Sequence, residues 1–318
     1  MNSLTNDGLR SKIVIFGKYV LTIINIIAAI ASIAGLVYTI QNDIPGQIFF
    51  FIAVGCICFI SIVATMGVHL SVKNDRVALG MVYSECFHDL MHSIRNMIEE
   101  DDTIQLTKPY NSHYEYRRHI TDQSIKLMTK LSQHLTSAFS INIRACIKLF
   151  NFIHPDEQEL KVITFARNDI ELNEMLEEQY HVILVNENTD FDYIFQHDQA
   201  NSSEHPSFFF QKDLAKFAKD EIRQGRKYNN STRDWKKKYR TTIVMPIRYL
   251  YTPANGDQPF YDLLGYLCVD SKNTKAFASG YTTFIIELLK GLADILYHYY
   301  DGCTYYYKEL YKENTKNK

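Results

Sequence analysis

Residues 19–40 (YVLTIINIIAAIASIAGLVYTI) carry no charge and no polar stripe of helical period, and residues 47–70 repeat the pattern with only His69 at the far end. A run of that length matches the roughly 20 residues a helix needs to cross a bilayer. Between the runs, Asn42, Asp43 and Pro45 supply turn chemistry. The pattern predicts two membrane-spanning helices joined by a short turn. Arg10, Lys12 and Lys18 precede the first run, Lys73 and Arg76 follow the second, and the turn has Asp43 and no Lys or Arg. The positive-inside rule then places both termini in the cytoplasm and the turn outside. Within the first run, Ala28/Ser32 and Ala31/Gly35 would let helices approach closely, and Asn25 is a strongly polar side chain at depth.

Downstream the period stays helical. Residues 72–100 repeat apolar positions at three- and four-residue steps and read as a stalk continuing from the second span, ended by the acidic residues 99–102 and Pro109. Residues 113–140 form a second helix, with Ile125, Met128, Leu131, Leu135 and Phe139 on one stripe. These stripes either pack on their own domain or invite a homodimer through the stalk. From residue 141 the period becomes strand-like: 143–152 and 160–167 read as a hairpin, followed by a short helix at 172–180 and an apolar piece at 181–185. Residues 186–240 are polar and irregular, with a helix at 214–224. The strands at 241–250 and 263–270 are so continuously apolar that burial on both faces is expected. An amphipathic helix at 283–300 closes the domain, and 303–318 reads as a polar tail. The organisation is therefore a leader (1–18), a hairpin (19–40 and 47–70), a stalk (71–120), an α+β domain (121–302) and the tail.

Composition narrows the function classes. The formal net charge of −2 over 318 residues gives no overall pull toward a nucleic-acid polymer. Six cysteines without ligand spacing argue against a zinc site or a disulfide framework and for a reducing, cytosolic domain. No Gly-rich phosphate loop, HExxH or nucleophile–base arrangement is present, so no catalytic constellation is assigned. The candidate chemistry lies in residues 223–240 (RQGRKYNNSTRDWKKKYR), where eight Lys or Arg and one acid interleave with Tyr228, Trp235 and Tyr239. Cations beside planar rings suit a small anionic or nucleotide-like ligand. The same stretch also suits anionic lipid headgroups beside the inner leaflet, or a solvated loop whose rings cap the core. The binding candidates are Tyr228, Trp235, Tyr239 and Arg240. Residues 186–198 are acidic; Asp190, Asp192 and Asp198 lack calcium-loop spacing, and Phe191, Tyr193 and Ile194 read as packing anchors. This acidic stretch and the basic one are also candidates to pair with each other.

The element order, together with Val244-Met245-Pro246-Ile247, then Leu264-Gly265-Tyr266-Leu267-Cys268-Val269-Asp270, Ala276-Phe277 and Leu292-Ala293, resembles the pattern of GAF domains. The resemblance implies an antiparallel sheet flanked by helices, with either a small-ligand pocket or a dimerisation role. The constellations of cyclic-nucleotide-binding, bilin-carrying and sulfoxide-reducing GAF members have no counterparts here, and no cofactor is assigned. No kinase, cyclase or DNA-binding module follows, so the expected output is the membrane segment, a partner or oligomerisation. Bacterial defence effectors that join two membrane helices to a nucleotide-sensing domain are similar in layout.

Overall fold

The computed structural model describes residues 45–107, 110–139, 141–150, 160–168, 182–200, 207–230, 235–253, 258–274, 276–277 and 282–316. The chain divides into two units, residues 1–84 and 85–318. The first expected span, Asn25 and its small residues lie outside the described residues, as does the expected short helix at 172–180.

Helix α1 runs from Pro45 to Thr107. Pro45 opens it, where its missing N–H costs no helical bond. The second expected span, 47–70, and residues 72–100 of the expected stalk are helical. Among the described residues, no helix is long and apolar enough to cross a membrane; within 47–70 the side chains of 47–54, 56–60, 64 and 68 are outside them. Of those described, Ile62, Val63, Met66 and Leu70 are each more than half exposed.

In the second unit, α2 (His113–Phe139) is followed by β1 (Arg144–Phe150), β2 (Lys161–Arg167) and β3 (Val182–Leu184), then a 3-10 turn at Val185–Glu187. Next come α3 (Thr189–Ala200), β4 (Phe209–Gln211), α4 (Leu214–Arg223) and α5 (Trp235–Lys238), and finally β5 (Thr241–Tyr251), β6 (Phe260–Ser271) and α6 (Thr282–Lys316). The six strands form one sheet in the order β3-β2-β1-β6-β5-β4, with every neighbouring pair antiparallel. The fold class is α+β, as the periodicity predicts.

Alternation divides the sheet between two layers. Helices α2 and α6 cover one face. Leu127, Met128 and Leu131 of α2 and Leu289, Leu292 and Leu296 of α6 are buried beside Ile147, Leu267 and Val269. Residues 85–107 of α1 lie along α2, with Asp89 accepting from Lys130 at 2.9 Å and paired with His134 at 2.7 Å. Gly291 of α6 faces Phe87; a Cβ there would meet Cε2 at 3.3 Å. On the opposite face, α3, α4 and the 228–239 segment pack Phe191, Ile194, Leu214, Tyr228 and Tyr239 against Cys146, Val162, Val244, Tyr266 and Cys268. Covered on both sides, β5 is buried from Thr241 to Ile247, as its apolar run predicts.

Three expectations are corrected. The acidic residues 99–102 do not end α1, which continues to Thr107: Glu99 and Asp102 face solvent, and Asp101 Oδ2 accepts from Gln105 and Tyr116. Residues 303–316 are helix rather than tail, with Cys303, Tyr307 and Leu310 buried. The acidic stretch is helical from Thr189, because Phe191 and Ile194 lie three apart and dock one face onto the sheet.

Candidate functional site

The second layer does not close completely on the sheet. A cavity of about 70 Å³ remains between them, floored by β1, β2, β5 and β6 with Ile183 of β3 at its edge, and roofed by the start of α3, Lys238 and Tyr239. Its floor consists of cross-strand rows. In one row Arg167 lies opposite Cys146, Cys146 opposite Cys268, and Cys268 opposite Val244. The rows beside it contain Arg144, Asp270 and Thr242, and Thr164, Lys148 and Tyr266. Thr164 and Arg167 are three apart and would face opposite sides of a regular strand. A bulge where β1 Ile147/Lys148 meets β2 shifts the register by one and turns both onto the cavity.

Four cationic side chains, Arg144, Lys148, Arg167 and Lys238, line this small space. Lys148 Nζ donates to Thr164 Oγ1 at 2.7 Å. Arg144 donates to Asp270 Oδ2 at 3.4 Å, and Thr242 Oγ1 donates to Asp270 Oδ1 at 2.9 Å. Burial raises the Asp270 carboxyl above its usual range, with Arg144 opposing. Asp190 is a buried acid on the cavity wall. It is 4% exposed, and burial pushes its carboxyl up to about 8. Its Oδ2 accepts from Tyr228 Oη at 3.1 Å, while its Oδ1, buried on the cavity wall, has no hydrogen-bond partner among the described residues. Burial favours the protonated form of this carboxyl, which can then donate; with Asp270 engaged by Arg144 and Thr242, the lining is dominated by cations and donors, an inventory that suits an oxyanion.

The four residues singled out from the sequence fall at different depths. Tyr239 lines the cavity. Tyr228 stands behind the wall and holds Asp190. Asn230 donates to Tyr228 Oη at 3.0 Å and accepts from Tyr239 Oη at 2.8 Å, joining the two tyrosines. Trp235 packs on both, with ring centroids at 5.1 and 6.3 Å. Arg240 turns away to Asp213, at 3.5 Å, the residue that caps α4. The acidic and basic stretches do meet: Thr189 N donates to Asn229 O at 3.0 Å and Asn229 N to Thr189 Oγ1 at 2.8 Å. Of the acids, Asp190 goes to the cavity and Asp198 pairs with Arg248.

Sequence reasoning missed Arg144, Lys148 and Arg167; it weighed Asp190 only against a calcium loop and named Asp270 only in the strand pattern. Arg144 and Lys148 alternate with apolar residues, a pattern that reads as a solvent-facing strand side, and only the α3 roof makes it a cavity.

No protein-family model matches this chain, and no curated protein matches it. Among solved structures it is similar to the GAF domain of an Acinetobacter phosphoenolpyruvate-protein phosphotransferase, at 13% identity and a TM-score of 0.33 over 60% of this chain and 96% of that one. It is similar too to the GAF domain of a Coxiella burnetii phosphoenolpyruvate-protein phosphotransferase, at 13% identity and a TM-score of 0.32 over 59% and 94%. Likeness at this level carries no argument about family, ligand or activity.

Proposed function

We propose that the second unit is a GAF-like sensor domain that binds a small oxyanion, carboxylate or phosphate in class, in the cavity on the sheet. The observation that carries the reading is the convergence of Arg144, Lys148, Arg167 and Lys238 with the protonated Asp190 around one small space. The volume favours an anion of a few heavy atoms over a nucleotide, since pockets for drug-sized ligands measure roughly 300–1,000 Å³. Residues 19–40 and 47–70 anchor the chain in the inner membrane with the sensor on the cytoplasmic side. Their uncharged composition and the exposed Ile62, Val63, Met66 and Leu70 support this. Output passes through the membrane segment or a partner.

The test is thermal melting of the full chain in mild detergent against phosphate, sulfate, small mono- and dicarboxylates and nucleotides. Binding at a hundredfold excess over Kd adds about 2.7 kcal/mol of stability. A small oxyanion should raise Tm, and Lys148→Met should abolish the rise. No shift with any anion would transfer the assignment to a second reading, a non-sensing GAF-like dimerisation or scaffold module. That reading is favoured by how far the domain's own side chains fill the space.

A further inference from the structure

The floor of the cavity holds a feature that anion binding does not use. Cys146 of β1 and Cys268 of β6 are direct antiparallel partners, both are free thiols, and both line the cavity. Directly opposed residues on antiparallel strands stand about 4.5–5.5 Å apart at Cα, within the roughly 4.4–6.8 Å that a disulfide spans. Register partners also share a face, so the two Cβ vectors leave the sheet side by side. We infer that Cys146 and Cys268 form an oxidant-modified pair, closing to a cross-strand disulfide on the cavity floor when a small peroxide enters.

The local chemistry assigns an order to the step. The Cys146 thiol is lowered by its hydrogen bond to Cys268, then by Lys148 and Arg144, against the effect of its burial; Cys268 is raised by the same hydrogen bond and by burial. Cys146 is therefore the more acidic of the two thiols and the attacking sulfur, because the thiolate is the nucleophile. Its sulfur attacks one peroxide oxygen: an S–O bond forms, the O–O bond breaks, and the leaving hydroxide takes a proton to become water. The Cys268 sulfur then attacks the sulfenic sulfur. The S–S bond forms, the S–O bond breaks, and a second water leaves with the Cys268 proton. Two electrons pass from the thiols to the peroxide. Cys86 and Cys303 are the internal controls: each is pushed up to about 12, chiefly by burial, and neither lines this cavity. In a reducing compartment the bridge is transient, reopened by small thiols. This inference does not depend on the anion reading, and its test does not involve an anion.

The experiment is peptide mapping of the full chain in detergent, reduced, desalted and exposed to graded hydrogen peroxide. Remaining thiols are blocked with N-ethylmaleimide under denaturing conditions before tryptic digestion without reductant. Cleavage after Arg144, Lys148, Arg248 and Lys272 puts the two cysteines on peptides 145–148 and 249–272. The expected product is these two peptides linked, short of two hydrogens, formed before Cys86 or Cys303 changes and lost on adding dithiothreitol. In Cys268→Ser, Cys146 should instead accumulate as a sulfenic acid that dimedone traps. If Cys146 and Cys268 remain alkylated at doses that oxidise Cys86 or Cys303, or appear as separate sulfinic acids, or pair with other cysteines, the inference is overturned. The unsubstituted chain decides it even if the variant does not fold.

Discussion

Asp190 illustrates how far a side chain can be moved from its solution chemistry by position alone. In the unfolded chain it titrates near 3.8; buried at the start of α3 it titrates near 8. Between those values the folded state holds a proton that the unfolded state has released. Its contribution to stability is therefore complete below about pH 4 and is lost as pH rises through about 8. Replacing it with Asn, which is never charged, should flatten the fall in Tm across that window; an unchanged pH profile in Asp190→Asn would refute the assignment. Gly265 makes a steric demand. A Cβ there would sit 2.0 Å from Lys148 O and 2.9 Å from Leu149 Cα, both backbone atoms of β1. Gly265→Ala must push β6 from β1 and should cost about 3 kcal/mol in denaturant melts. A near-neutral result would mean the strands are not as close as described.

At the scale of elements, the cavity depends on a roof and a bulge. The roof is α3, held by Phe191 stacked on Tyr266 at 4.5 Å and by Thr189 bonded to Asn229. Helix α4 beside it begins at Asp213, whose carboxylate accepts from Ala215 N and Lys216 N, both at 3.1 Å, and also receives Arg240. Asp213→Ala should lower stability by about 1 kcal/mol through loss of that cap. Arg240→Ala should cost less, because the pair is partly exposed, and should leave any anion-induced rise in Tm intact. Loss of that rise in Arg240→Ala would bring Arg240 back into the site. The contrast with Lys148→Met separates a cation that lines the cavity from one that supports a helix end.

For the whole molecule, the sharpest expectation concerns residues 47–70. Ile62, Val63, Met66 and Leu70 are exposed on an uncharged stretch of α1, the surface that the proposed membrane anchor would cover. In cells the full chain should sediment with membranes and resist alkaline carbonate; release into the soluble fraction would exclude the anchor. Much of the architecture was legible in one dimension. The change of period at residue 141 announced the strands, the apolar runs of β5 and β6 announced their double burial, and 47–70 announced a helix. Those signals are local, because hydrophobic periodicity records which face of an element is covered. The site was less legible. Tyr228, Trp235 and Tyr239 were marked by composition and do gather beside the cavity, but Arg144, Lys148 and Arg167 looked like ordinary charges on strand surfaces. Tertiary structure made them a site. The β1–β2 bulge put Arg167 on the same face as Lys148, α3 folded over both, and antiparallel pairing set Cys146 opposite Cys268 across 121 intervening positions. The sequence alone determined the long periodic elements, the helices at 47–100, 113–139 and 283–300 and the strands β1, β2, β5 and β6, but not the helices at 189–200 and 303–316 or the covered side of β1. Which charges and thiols meet was decided by register and by the layer laid over the sheet, because contacts between distant segments leave no periodic trace in the chain.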